Sequence, residues 1–288
     1  MKRITTIALL LLFMVLEVKG QAITDLYGFR LGQFKETAAN ELGEPFQEGE
    51  LDDGYKYQAF IIKSDSNSYM IFGCAPEQAD IIRSIQISER KGKNATTDTG
   101  FKGLKLGTSK KQVEQMLGKP DEKKDIGDYG ELWSYDERAN YSIEIGTNGK
   151  LSSVKIWDIY SDDTPDVTKL PKFKNVIKLM SSKNNVDMAS ILAPGIEIYY
   201  KDQTLFFNKS LKTEIETDES KVFQTIREIS VGLNKINTSD PNSYEENIRL
   251  VMGQNPKHVV KIKTGHIIKE IVFEYTNKQF LIWEINAL

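Results

Sequence analysis

One stretch of this chain is written twice. Gly28-Phe-Arg-Leu31-Gly32-Gln-Phe-Lys35, running on to Leu42-Gly43-Glu-Pro45, returns as Gly103-Leu-Lys-Leu106-Gly107-Thr-Ser-Lys110, running on to Leu117-Gly118-Lys-Pro120. The paired positions keep one offset of 75 residues, from Gly28 to Gly103 and from Pro45 to Pro120, without a gap. Self-similarity at a fixed period identifies the folding unit before any of its details, and it favours a scaffold that presents a surface over one built around a catalytic pocket.

Each copy carries its own start and stop signals. In the second, Thr108 or Ser109 is a credible N-cap, and Ser109 to Gln112 has capping-box spacing. Val113, Met116 and Leu117 form one apolar stripe on a short helix, which Gly118 and Pro120 then end. The first copy keeps Gly43 and Pro45 and a stripe of Phe34, Ala38 and Leu42, but has Gln33 where Thr108 stands. Alternating apolar residues follow each helix. They are Tyr55, Tyr57, Ala59 and Ile61, then Tyr69 and Ile71, in copy one, and Trp133 and Tyr135, then Tyr141, Ile143 and Ile145, in copy two. Thr147-Asn148-Gly149-Lys150 reads as a hairpin turn into Leu151, Val154 and Ile156, a strand that Ile82, Ile85 and Ile87 match in copy one. Each unit therefore reads as a short helix on an antiparallel sheet. So small a unit buries little alone, and two side by side make a better core.

The combination Gly-Leu-x-Leu-Gly-Thr-Ser, Val-x-x-Met-Leu-Gly-x-Pro, Trp-x-Tyr, strand, Asn-Gly and last strand resembles one known module. It is the helix-plus-sheet unit of the β-lactamase inhibitor protein superfamily, shared with the small outer-membrane assembly lipoproteins. Gly103, Gly107, Thr108, Val113, Leu117, Gly118, Pro120, Trp133 and Tyr135 carry the likeness, which spans residues 26–160. It implies tandem modules whose sheets merge into a concave surface that grips a protein partner, and so a binder without catalytic activity.

The N-terminus reads as a secretory signal peptide, residues 1–20. Lys2 and Arg3 precede the apolar run Ile7–Leu16, and Val18-Lys19-Gly20 precedes Gln21. No cysteine follows the run, so no lipid anchor is expected, and no later segment reaches the ~20 apolar residues a membrane span needs. The expected product is exported, periplasmic or secreted. The formal net charge is −3. The leader holds three basic residues and one acidic, so the mature chain stands near −5, and a mildly acidic, mixed surface argues against nucleic acid as partner. Cys74 is the only cysteine, which excludes an intrachain disulfide.

The expected organisation is α+β: a first module at 21–92, a second at 98–160, and a third α+β domain at 167–288. Lys91–Gly100 and Ser161–Asp166 read as links. In the third domain, Phe173 to Met180 and Val222 to Ile229 suit helices. Ile196–Tyr200 and Leu205–Phe207 suit paired strands, as do Val259–Ile262, Ile267–Tyr275 and Phe280–Ile285. Helices first and a curved sheet last is similar to the cone-shaped nuclear-transport-factor-2-like fold. A decayed third repeat is the rival, since Ile248 to Pro256 echoes the helix stop.

Catalytic constellations are thin. If Thr264-Gly265 is a tight turn, His258 falls opposite Ile271 and its ring stands on the order of 17 Å from that of His266 at 3.4 Å per residue, too far for a shared metal. There is no zinc helix motif, phosphate loop or nucleophile elbow. Cys74, in Gly73-Cys-Ala-Pro76, reads as a core or turn-adjacent thiol. Asp52-Asp53 and Asp162-Asp163 read as solvated loop acids. Asn94, Asn140, Asn208 and Asn237 fit the glycosylation sequon.

What remains is aromatic. The resemblance implies that Trp133 and Tyr135 lie in the core, and Tyr57, Tyr69, Tyr141 and Trp157 are the candidates for a partner-binding face. No catalytic, cofactor or metal residue is assigned. The leading expectation is an exported, non-enzymatic module that offers a sheet surface to a protein. The alternatives are an envelope assembly or structural factor, and a small-molecule binder or hydrolase with a C-terminal pocket that includes Glu197, Tyr199 or His258.

Overall fold

The computed structural model describes residues 23–51, 54–76, 79–136, 139–158, 170–217, 219–237, 240, 242–249, 257–263, 265–276 and 279–288. The leader, the link Ser161–Asp166 and the Asp52-Asp53 pair lie outside them. Among the described residues the fold is α+β, with three sheets and six short helices.

A two-stranded ribbon, β1 (Asp25–Leu26) and β2 (Phe29–Arg30), opens the first unit and leads into helix α1 (Glu36–Leu42). Four antiparallel strands follow: β3 (Gln47–Glu50), β4 (Lys56–Ile61), β5 (Ser68–Cys74) and β6 (Ile82–Glu89). The second unit repeats the plan with helix α2 (Lys110–Leu117), β7 (Glu122–Asp125), β8 (Glu131–Ser134), β9 (Tyr141–Ile145) and β10 (Leu151–Trp157). The two halves join through their last strands. β6 pairs antiparallel with β10, which gives one eight-stranded sheet in the order β3-β4-β5-β6-β10-β9-β8-β7. Edge strands β3 and β7 carry Gln-Glu-Gly-Glu and Glu-Lys-Lys-Asp and show no apolar alternation, so hydrophobic periodicity does not reveal them. Charge on an outer strand also discourages edge-to-edge pairing with another chain.

The repeat holds at the backbone. Tyr27 and Lys102, 75 positions apart, both have positive φ, at 52° and 47°. The Gly32 N–H donates to the Ile82 carbonyl at 2.8 Å, as that of Gly107 does to Leu151 at 2.8 Å. The expected capping box of α2 is present, with Ser109 and Gln112 bonding each other's backbone N–H. The apolar stripes are narrower than their spacing suggests. Only Val113 of α2 is fully buried, Met116 is exposed, and Phe34 precedes α1 and stacks on Phe206 instead, with centroids 5.1 Å apart.

One sheet face lies under the helices. Phe60, Phe72, Ile85, Ile87, Val154, Ile156, Ile143 and Trp133 are buried there, together with Ala38 and Val113. The expected link Lys91–Gly100 is partly built into this unit. Ala95, Thr97 and Thr99 are buried, and the Thr97 hydroxyl donates to the Asp65 carboxylate at 2.7 Å.

The third sheet belongs to the C-terminal region. Helices α3 (Phe173–Met180), α4 (Asn185–Ala189), α5 (Leu211–Glu216) and α6 (Lys221–Ile229) accompany strands β11 (Leu192–Tyr200), β12 (Gln203–Leu205), β13 (Tyr244–Arg249), β14 (Lys257–Ile262), β15 (Ile268–Thr276) and β16 (Gln279–Ala287). Their order is β12-β11-β16-β15-β14-β13, antiparallel except for the parallel pair β11–β16. Ile248 and Arg249 sit on strand β13, so the echo of a third repeat does not form a helix at its start; residues 250–256 lie outside the described ones.

The C-terminal region docks on the first unit. The Gln33 amide donates to the Lys209 carbonyl at 3.1 Å, and that of Asn40 to the Asn208 carbonyl at 3.0 Å. Glu41 accepts from the Ser210 N–H at 2.8 Å and from the Thr213 hydroxyl at 3.0 Å, at the start of α5.

Candidate functional site

The register sorts the eight-stranded sheet into two faces, because cross-strand partners point the same way. Away from the helices, one row runs Tyr57, Gly73, Ser84, Trp157; the next runs Ala59, Ile71, Gln86, Lys155, Ser142; a third runs Ile61, Tyr69, Ser88, Ser153, Glu144, Leu132. Tyr57, Tyr69 and Trp157 lie half-buried on this open face.

Tyr141 does not. It pairs with Ile156 on β10, is 3% exposed, and stacks on Tyr135 at 4.7 Å with Phe101 edge-on at 4.8 Å. The reason is alternation: Tyr141 shares its face with Ile143 and Ile145, which the core requires. Trp133 and Tyr135 are core residues, at 0% and 1% exposure. The Trp133 indole N–H donates to Glu131 at 2.8 Å, while the Lys123 ammonium lies 4.2 Å from the ring centroid.

The first-unit half of the open face holds a hollow of about 500 Å³. Its floor is Ala59, Ile71, Gly73 and Gln86, and Tyr57 and Tyr69 stand at its sides. The Tyr57 hydroxyl accepts from the Gln47 amide at 2.8 Å, and its ring lies against Gly49, where any Cβ would collide with it. Phe46 meets Tyr69 edge-on at 6.0 Å and is 52% exposed; Leu51 is 47% exposed. A second hollow of about 400 Å³ adjoins the first through Leu51, Ser84 and Lys155 and is closed by Trp157. Below Trp157, Arg83 and Asp158 form an ion pair of 2.5 Å whose side chains are only 11% and 7% exposed.

Arg90, Lys91 and Lys155 supply the charge of the larger hollow, and no carboxylate lines it among the described residues. Glu144 lies one row from Lys155. Burial raises its carboxyl above the ordinary value, against the opposing pull of Lys155. Phe46, Leu51, Arg90, Lys91 and Lys155 were not singled out by sequence pattern. The first four sit in loops, where periodicity is silent. Lys155 carried one weak signal, a cation inside an otherwise apolar alternation.

Of the residues named for a C-terminal pocket, Glu197 and Tyr199 meet, and His258 stands on the opposite face of the sheet. Glu197 shares the outer face of the third sheet with Glu284 and Val272, whereas His258 pairs with Phe273, whose side chain belongs to the inner core. The Tyr199 hydroxyl donates to Glu197 at 2.9 Å and is pushed up to about 12 by burial and that carboxylate. His258 faces Phe273 instead of the expected Ile271, because the β14–β15 connection is two residues longer than a tight turn at Thr264-Gly265 would make it. Cys74 is buried, which pushes its thiol up to about 11. Asn140 is no glycan acceptor in this fold. It is 1% exposed and ties the N-terminal segment down, accepting from the Ile23 N–H at 2.7 Å and donating to the Ile23 and Trp157 carbonyls. No cluster of three or more His, Cys, Asp or Glu suited to a metal is present among the described residues.

No protein-family model and no curated protein matches the chain. Among solved structures, it is similar to an extracellular protein containing a SCP domain from Bacillus anthracis str. Ames, at 14% identity and a TM-score of 0.29, over 58% of this chain and 61% of that one. The chain thus spans less than two thirds of that protein's solved length. It is also similar to a calcium/calmodulin dependent protein kinase II association domain from Xanthomonas campestris, at 10% identity and a TM-score of 0.25, over 44% of this chain and 89% of that one. No helix among the described residues is long and apolar enough to cross a membrane.

Proposed function

We propose that this is an exported, non-enzymatic binding protein that offers the open face of its eight-stranded sheet to a protein partner. The observation that carries the reading is the pair of adjoining hollows on that face, edged by Tyr57, Tyr69 and Trp157 and overhung by exposed Phe46 and Leu51. Rigid aromatic rings in a partly desolvated depression are typical anchors of protein recognition. A sheet held from behind by helices keeps them in place before binding, which lowers the entropic cost. Export is supported by the leader-like N-terminus, and the likeness to the β-lactamase inhibitor protein superfamily by the repeated unit and the fused sheet.

The test is affinity capture from the envelope and culture fractions of the source cells, with wild type and a Tyr57→Ala, Tyr69→Ala, Trp157→Ala variant in parallel. A partner held by wild type and reduced at least about tenfold by the variant, with the melting temperature kept, is the expected outcome. Equal retention by both would sink the open-face reading. Capture confined to membrane machinery would favour the envelope assembly role.

A further inference from the structure

The two halves of the open face share a topology but not a chemistry. Across strands β4 and β5 of the first unit the face is Tyr57, Ala59, Ile61, Tyr69 and Ile71; across the second unit it is mostly polar, with Ser153, Lys155, Ser142, Glu144 and Ser134 beside Trp157 and Leu132. The depression is therefore one-sided, apolar toward β4 and β5 and bounded by cations toward β6 and β10. This charge runs against the balance of the chain as a whole, whose formal net charge is −3. Glu48, the nearest acid on edge strand β3, pairs with Gln58 and so belongs to the opposite face.

The three cations differ in freedom. Arg90 donates one N–H to the Ser66 carbonyl at 3.2 Å and keeps further donors for a ligand. Lys91 lies 4.8 Å from the centroid of the exposed Tyr129 ring. Lys155 is half-buried in the middle of the sheet between Gln86 and Ser142, and it lines both hollows. A half-buried ammonium in an apolar depression is better stabilised by an incoming anion than by water.

Resting on the reading above, we propose that the occupant is a protein segment carrying a carboxylate beside an aromatic or aliphatic side chain. The apolar group lies on Tyr57, Tyr69 and Ile71, the carboxylate meets Lys155, and neighbouring acids meet Arg90 and Lys91. The two hollows join through Leu51, Ser84 and Lys155 into one open trough across the sheet face, which suits a loop or extended strand. Charge of this kind sets partner choice and association rate more than raw affinity.

The experiment is selection of random phage-displayed peptides on the purified protein, followed by calorimetry of the winning synthetic peptides. Wild type, Lys155→Gln, Tyr57→Ala with Tyr69→Ala, and Lys111→Gln on helix α2 behind the sheet are compared, with circular dichroism to verify folding. Winning peptides are expected to be net acidic with at least one aromatic or aliphatic residue. Lys155→Gln should weaken them about tenfold, added salt should weaken them further, and Lys111→Gln should leave them unchanged. Neutral or basic winners that need Tyr57 and Tyr69 but ignore Lys155→Gln would overturn this inference and leave the open-face platform standing. Winners indifferent to the tyrosines, or no winners, would overturn both. An isolated phenylalanyl carboxylate binding as tightly as the peptide would replace a protein segment with a small ligand and overturn the proposal too.

Discussion

Gln33 stands where the second unit has Thr108, and the substitution has a structural use. In the second unit the Lys105 N–H donates to the Thr108 hydroxyl at 3.3 Å. In the first, the Arg30 N–H donates to the Gln33 side-chain oxygen at 2.8 Å, the same turn bond at the same offset. The longer side chain then has its NH2 left over, and this donates to the Lys209 carbonyl on the C-terminal region. Gln33 is fully buried, so both bonds are made out of water. Gln33→Thr should therefore keep the turn and lose the docking bond. A loss of about 1–2 kcal/mol in denaturant unfolding is expected, whereas the matching Thr108→Gln should cost less because that position is only half-buried. Equal effects at the two sites would refute the assignment. The departure from the repeat was legible in the sequence; its purpose was not, because Lys209 is 176 residues away.

At the scale of the element, helix α2 stands on its cap as much as on its apolar face. Helix α2 buries only Val113, so its stability leans on the Ser109–Gln112 box. Ser109→Ala should cost about 1 kcal/mol. The same change in α1 has no counterpart, since Lys35 offers no side-chain cap and α1 is held by Glu41 and Asn40 against the C-terminal region instead. Hydrogen exchange should accordingly show α2 fraying first in Ser109→Ala, with α1 unmoved; fraying of α1 alongside it would contradict this division. Helix and strand positions follow from local periodicity and turn residues. The edge strands β3 and β7 do not, because Gln-Glu-Gly-Glu and Glu-Lys-Lys-Asp hold no apolar side chain to alternate.

For the whole molecule, pH dependence reports how the buried groups combine. Burial depresses His258 below its ordinary 6.5, partly offset by Glu246, and its Nδ1 is buried without a hydrogen bond. The unfolded chain thus takes up this proton more readily than the folded one. The contribution is intact above pH 6.5 and is lost as the pH falls from 6.5 toward the folded value. Glu131, held low by Lys110 and Trp133, and Asp65, held low by Thr97, lose theirs only below 4.5 and 3.8. Glu144 and Glu89, raised by burial, act in the opposite sense and gain stability on acidification. His258→Leu should flatten the acid side of the stability curve by at most about 1.4 kcal/mol per pH unit, the slope one proton can give. A curve of unchanged slope would show that His258 is not the group responsible.

Two kinds of information meet in this fold. Turn glycines, caps and period-two alternation act between residues a few positions apart, so the repeated unit and most of its strands could be read directly from the chain. The joining of β6 to β10, the parallel pairing of β11 with β16 and the docking of Gln33 and Glu41 on α5 are contacts between distant segments. Those contacts settled which face of the sheet stays open. They left Tyr57, Tyr69 and Trp157 on it and brought Arg90 and Lys155 to one hollow, whereas Tyr141 was turned inward by the alternation of its own strand. Backbone preference and hydrophobic spacing carry no record of a partner so far along the chain, and only the packed sheet puts these side chains within reach of one ligand.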